Sequence, residues 1–145
     1  MPTIDETSPV PESPATENDL PRADAAKTAI VCVAGALIPG LGHALLHKWD
    51  RAAVFFGCIA AMMIIGVQLD GGLFAPCFND LFTIFKFVAD AGAGLLYWIP
   101  WMLGIGAGDP VAYTYNYANV FLYSAGLLNM LTVVDAFDIA RGRKP

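Results

Sequence analysis

The chain has 145 residues, 57% of them hydrophobic and 14% charged, with a formal net charge of −5 and three cysteines. Soluble globular domains carry about 25% charged residues, so this composition argues against a water-soluble fold. Five of the acids, Asp5, Glu6, Glu12, Glu17 and Asp19, are tail charge, and the acidic balance argues against a nucleic-acid partner.

Residues 1–21 hold five prolines and five acids, with no basic residue before Arg22. Such a segment buries too little apolar surface to offset its ordering entropy, so residues 1–24 are expected to be a disordered acidic tail. The tail lacks the positively charged start of a signal peptide.

The first apolar segment, residues 28–46, is interrupted at Ile38-Pro39-Gly40-Leu41-Gly42-His43. Pro39 disfavours helical geometry at Ile38, and the glycines tolerate positive φ, so the helix should break there. Beyond the break, Leu41, Ala44, Leu45, Trp49 and Ala52 form one stripe and His43, His47, Asp50 and Arg51 the other. This pattern predicts one short helix lying at the membrane surface.

Residues 52–69 form an uncharged run long enough to cross the hydrocarbon core, ended by Asp70-Gly71-Gly72. Residues 80–90 are amphipathic, with Thr83, Lys86 and Asp90 on one face and Phe78, Phe82, Phe85 and Val88 on another. Residues 91–108 are also uncharged, but Pro100 stands among Tyr97, Trp98 and Trp101, aromatics that favour the interface. A re-entrant or surface-packed segment suits them better than a lipid-exposed span. Residues 118–136 form the second span, with Tyr113, Tyr115, Tyr117 and Tyr123 as an aromatic belt at one end and Arg141, Arg143 and Lys144 at the other.

Lys and Arg set the orientation. Four crossings with both termini inside put 6 inside and 2 outside; two re-entrant segments give 7 and 1; three crossings with the amino terminus outside give 5 and 3. All three arrangements place the carboxyl terminus in the cytoplasm.

Cys32 and Cys58 lie in apolar runs and read as small hydrophobes, with no disulfide framework or zinc pattern; Cys77 lies in a polar loop. His43 and His47 are spaced i, i+4 with Asp50 at i+7, the one metal-ligand spacing in the chain, but histidines on the polar face of an interfacial helix are read as solvated, and no metal is assigned. Asp135 would cost about 2.5–3.5 kcal/mol at the bilayer centre and less near the interface. If the first segment turns back at Pro39, Lys48 and Arg51 share a face with Asp135 and Asp138 and relieve that cost. Asn129, in mid-span, is read as bonding a neighbouring helix. Gly104-x-Gly106-x-Gly108 lacks the strand and downstream acid of a dinucleotide fingerprint.

The turn Pro39-Gly40-Leu41-Gly42-His43 with Lys48 and Arg51, joined to Asn129 and residues 135–142 (DAFDIARG), resembles a short bacterial membrane-protein family of unassigned function related to the TM-two domain. In that pattern a glycine–histidine turn is followed by Tyr-x-Gly, and an acidic residue closes the last helix. Here Leu45 and His47 stand at the Tyr and Gly positions. The resemblance implies a membrane protein of the same architecture and carries no catalytic activity with it.

The sequence therefore predicts an all-α integral membrane bundle. It has two spans and two Pro/Gly-broken segments, three to four transmembrane helices in all, over residues 25–140, with a basic cytoplasmic tail at 141–145. No nucleophile motif or intramembrane acid pair points to an enzyme, and no cofactor is expected. The expected role is as a packing or assembly partner, using glycine-bearing faces such as Gly35, Gly57 and Gly126. Its partners would be the lipid bilayer and other membrane proteins or a second copy. The alternative is a small-solute or ion transporter or channel component built from two broken-helix halves. The expected location is a bacterial inner (plasma) membrane, multi-pass, with both termini cytoplasmic.

Overall fold

A computed structural model describes residues 22–76 and 80–143. Among them the secondary structure is helical: α1 Arg22–Leu37, α2 Leu41–Leu45, α3 Trp49–Gln68, α4 Leu81–Ala91, α5 Leu95–Met102 and α6 Tyr115–Ala140. Because α1 starts at Arg22, the predicted tail boundary at residue 24 falls inside a helix; the rest of that tail lies outside the described residues, as do Cys77 and Phe78.

At 1.5 Å per residue, α3 is about 30 Å long and α6 about 39 Å, each enough for the hydrocarbon core. Both pass the length and composition expected of a span, and each begins three residues before the predicted run. Helices α4 and α5 are bent by 107° to each other across Gly92–Gly94, a broken span or a re-entrant loop.

Contacts along α6 fix the arrangement. Gly66, near the end of α3, packs on Leu122 and Ala118, whereas Arg51, near its start, reaches Asp135, so α3 and α6 are antiparallel. Gly35 of α1 lies by Val133, and Ala36 by Asn129, in the middle of α6. The chain then turns at Gly40 and comes back, bringing His43 to Asp135. From the opposite end, α4 descends until Ala89 and Gly92 meet Gly126, turns at Gly94, and returns as α5 to pack beside Val67 of α3. Two hairpins thus enter from opposite ends and meet near Asn129.

The sense of burial is inverted relative to a soluble protein. A core of Ile59, Met63, Leu73, Ala93, Tyr97, Leu122 and Ala125 is enclosed, yet so are His43, Asp90, Asn119, Asn129 and Thr132, while Phe82, Phe85, Val54 and Leu131 are mostly exposed. Lipid is the medium that solvates such a surface. The two faces read for α4 are kept, and the structure gives their sense: Phe82, Phe85 and Val88 face outward, while Thr83 and Lys86 are half-buried and Asp90 is buried. Tyr123 departs from the predicted aromatic belt, its hydroxyl being enclosed, while Tyr113 and Tyr117 remain exposed.

Candidate functional site

The residues singled out by sequence gather at two places along α6. The first is the end of the α1–α2 hairpin. Gly40 takes φ 79°, and a Cβ there would stand 2.4 Å from the Ala52 carbonyl oxygen, so the turn at Pro39–Gly40 packs directly on the first turn of α3. That tight return delivers His43, 1% exposed, to α6, with its ring 5.0 Å from that of Phe55. A carboxylate can only accept, so Nε2–H of His43 donates to Asp135 Oδ2 at 3.1 Å. Arg51 Nη1 stands 3.9 Å from the same oxygen, and Arg143 Nη1 lies 3.9 Å from Asp138 Oδ1. Asp135 lies in the C-terminal part of α6, where the helix dipole opposes a negative charge. The imidazole and guanidinium offset that opposition from one side.

The predicted surface helix over residues 41–52 does not form. The His43 carbonyl accepts from both Leu46 and Lys48 amides, His47 takes φ 59°, and Lys48 becomes the cap of α3. The break rotates the i, i+4 relation away: His43 faces Asp135, while His47 and Asp50 are exposed. Among the described residues no group of three His, Cys, Asp or Glu side chains is gathered to hold a metal ion.

The second place is the meeting point of the hairpins. Asn129, fully buried, donates through Nδ2 to the Gly92 carbonyl at 2.8 Å and to the Ala36 carbonyl at 3.4 Å, while its Oδ1 accepts from Thr132 Oγ1 at 3.2 Å. Both backbone acceptors belong to helix ends, where carbonyls lose their intrahelical donors. One side chain therefore satisfies a group on each hairpin. A cavity of about 240 Å³ lies alongside, lined by Ala36, Gly92, Asn129, Met130 and Val133 among others.

Sequence reasoning missed the partnership of His43 with Asp135, and it also missed Asn119, whose Oδ1 accepts from the Gly72 amide at 2.9 Å and pins the loop after α3. The signal for Asn119 was available. Ala118, Leu122, Ala125, Gly126, Asn129, Thr132 and Ala136 recur at three- and four-residue steps with Asn119, and this is the stripe that α6 buries.

Two antiparallel spanning helices, two hairpins between them and polar groups turned inward define a helical membrane protein. The chain belongs to DUF6677, a family of unknown function, which matches residues 30–145 and so takes in α2 to α6 and the second half of α1. No curated protein and no solved structure matches it.

Proposed function

We propose that this protein has a non-catalytic role in a bacterial inner membrane, where it packs against a second copy of itself through the outer face of α3. The observation that carries this reading is how the polar side chains of α6 are used: Asn119 and Asn129 bond loop or helix-end backbone, Thr132 bonds Asn129, and Asp135 bonds His43. With those groups committed inside the chain, recognition falls to the lipid-facing surface. On α3 that surface presents Ala53, Gly57 and Ala61 one turn apart, all exposed, and a Cβ at Gly57 would meet nothing within 4 Å. Small residues in line let two helix backbones approach closely in lipid. Gly35 and Gly126 are not open in this way, because Gly42 with Val133 and Ala89 with Ala93 already cover them.

The native Cys58 adjoins Gly57 on the exposed side and supplies the test. With Cys32 and Cys77 replaced by Ala, thiol cross-linking in native membranes should trap a dimer through Cys58, and Gly57→Leu should reduce its yield. Absence of the dimer, or an unchanged yield in Gly57→Leu, removes the reading.

A second reading, solute or ion passage, is favoured by one observation: broken segments from opposite ends meet at a polar residue near the middle of α6, the arrangement in which transporters place their sites. Flux into liposomes by the purified chain, reduced by Asn129→Leu, would support it over the first. The glycine–histidine turn and the acid closing α6 also support kinship with the TM-two domain. The charge count supports cytoplasmic termini. Returning α1–α2 to its own side puts Lys48 and Arg51 with the basic carboxyl end, the 7 to 1 arrangement.

A further inference from the structure

The turn at Pro39–Gly40 and helix α2 face the first two turns of α3 across an open groove of about 270 Å³. Its walls are apolar, with Ile38, Leu41 and Ala44 from the hairpin and Trp49, Ala53 and Phe56 from α3. At 1.5 Å per residue, the α3 wall runs about 10 Å inward from Trp49 to Phe56. Trp49 is 68% exposed and Phe56 43% exposed, so the groove opens on the outer surface of the bundle.

Residues 45–48 join the two walls and rim the end of the groove. Backbone bonds hold this rim: the Ala44 carbonyl accepts from the His47 amide at 3.0 Å, and the His43 carbonyl from the Lys48 amide at 2.9 Å. Lys48 therefore stands where the groove reaches the end of the bundle, its Cα about 3.8 Å from that of Trp49. Among the described residues Lys48 is exposed and enters no ion pair, whereas Arg51 lies 3.9 Å from Asp135 and Arg143 3.9 Å from Asp138. Asp50, the next residue after Trp49, is turned about 100° further round α3 and leaves the groove.

Charge is distributed unevenly between the two ends of the molecule. Lys27, Lys48, Arg51, Arg141 and Arg143 are exposed at this end against Asp50, Asp135 and Asp138. The loops at the other end, residues 69–80 and 103–117, carry Asp70, Asp80 and Asp109 and no Lys or Arg. An apolar groove with an interfacial tryptophan and an unpaired cation at its mouth matches an amphiphile with hydrocarbon inward and negative charge at the surface. A second protein helix would cover the apolar walls but leave the Lys48 charge unmatched.

We propose that this groove binds one anionic phospholipid, with an acyl chain along Trp49, Ala53 and Phe56 and its phosphate beside Lys48. The site shares Ala53 with the packing stripe on α3 but needs no dimer, and the two are read by different probes.

The full chain in a neutral mild detergent, with phosphatidylglycerol carrying brominated acyl chains as the probe, tests the proposal. Bromine quenches tryptophan at close range, and the difference between the unaltered chain and Trp49→Phe isolates Trp49 from Trp98 and Trp101. Quenching of Trp49 should saturate, with half-saturation at about one fifth of the concentration needed for brominated phosphatidylcholine. Lys48→Gln should raise the phosphatidylglycerol value about fivefold, the weight of one cation at an anionic lipid surface, and leave the phosphatidylcholine value unchanged. Ala44→Leu narrows the groove and should weaken binding of both lipids; if that variant does not fold, Lys48→Gln, a change at an exposed side chain, decides alone. Equal half-saturation for the two lipids, or a phosphatidylglycerol value unmoved by Lys48→Gln, overturns the site. So does a Trp49 emission shift that follows protein concentration in lipid-free detergent and blocks quenching, since a second copy would then fill the groove.

Discussion

Individual residues divide into those that set how close two helices come and those that hold a broken backbone. Gly126 belongs to the first kind: a Cβ there would lie 1.7 Å from the Ala89 carbonyl oxygen, a backbone atom that moves only if α4 moves. Gly126→Ala should therefore destabilise by about 3 kcal/mol, the upper part of the range for overpacking, in an unfolding titration in detergent. Gly35→Ala is the matched control: a Cβ there would meet Gly42 and Val133 at 3.5 Å, ordinary contact, with a gain in helix propensity, and the change should stay within about 0.5 kcal/mol. Asp135 belongs to the second kind. Asp135→Ala strips a buried histidine of its acceptor and should cost about 1–3 kcal/mol, whereas Asp135→Asn keeps an oxygen for His43 and should cost less. Equal losses for the two variants would mean that the charge near Arg51 matters more than the hydrogen bond. Asp135 was legible in the sequence as an acid in need of partners. Its buried partner was not, because the i, i+4 spacing of His43 and His47 suggested one helix face, and only the double acceptance at the His43 carbonyl breaks that face.

At the scale of elements, the two long helices could be read directly, since each has an apolar run of span length with no proline inside it, unlike the equally uncharged 91–108 stretch. The amphipathic helix α4 could not be read with the right sense. Periodicity gives two faces without saying which is inside, and in lipid the apolar face of Phe82, Phe85 and Val88 turns outward. The first break was legible from Pro39; the second was read at Pro100, but Pro100 lies inside α5 and the bend falls at Gly92–Gly94, where glycine gives the backbone its freedom. The meeting of the two breaks was not legible, because no local pattern encodes a contact between residues 36 and 94. There a Cβ on Gly94, at φ 64°, would stand 2.3 Å from the Ala36 carbonyl oxygen. Asn129 is what both elements share. Asn129→Leu keeps the volume and removes the donor, leaving the Gly92 and Ala36 carbonyls without it. Interhelical hydrogen bonds in membranes contribute about 0.6–2 kcal/mol, so amide hydrogen exchange at residues 92–94 should quicken roughly threefold to thirtyfold, with the 52–60 stretch of α3 unchanged. Uniform acceleration along the whole chain would instead mark a global loss of stability with no special role for the junction.

For the whole molecule, the decisive question is which end of the bundle each hairpin opens to. Helix α1 reaches Asn129 at Ala36, but the chain has come back to Asp135 by His43 and is still there at Arg51. The α2–α3 turn therefore lies at the same end of α6 as Arg141 and Arg143, while the loop carrying Val111, 91% exposed, joins the other end. This arrangement separates topologies that charge counting left open, because a full crossing by α1 from a cytoplasmic amino terminus would carry Lys48 to the outer side. Single cysteines introduced at Lys48 and Val111, in a chain whose own cysteines are replaced, should respond oppositely to a membrane-impermeant thiol reagent on intact spheroplasts. Val111→Cys should label at once, and Lys48→Cys only after permeabilisation. An amino-terminal protease site should likewise be cut only from the cytoplasmic side, since α1 begins at the end of the bundle where it returns. Immediate labelling of Lys48→Cys would mean that α1 crosses. The ion pair between Arg51 and Asp135 would then have to be made at the outer surface, with the basic carboxyl end beside it, against the charge bias that orients membrane proteins.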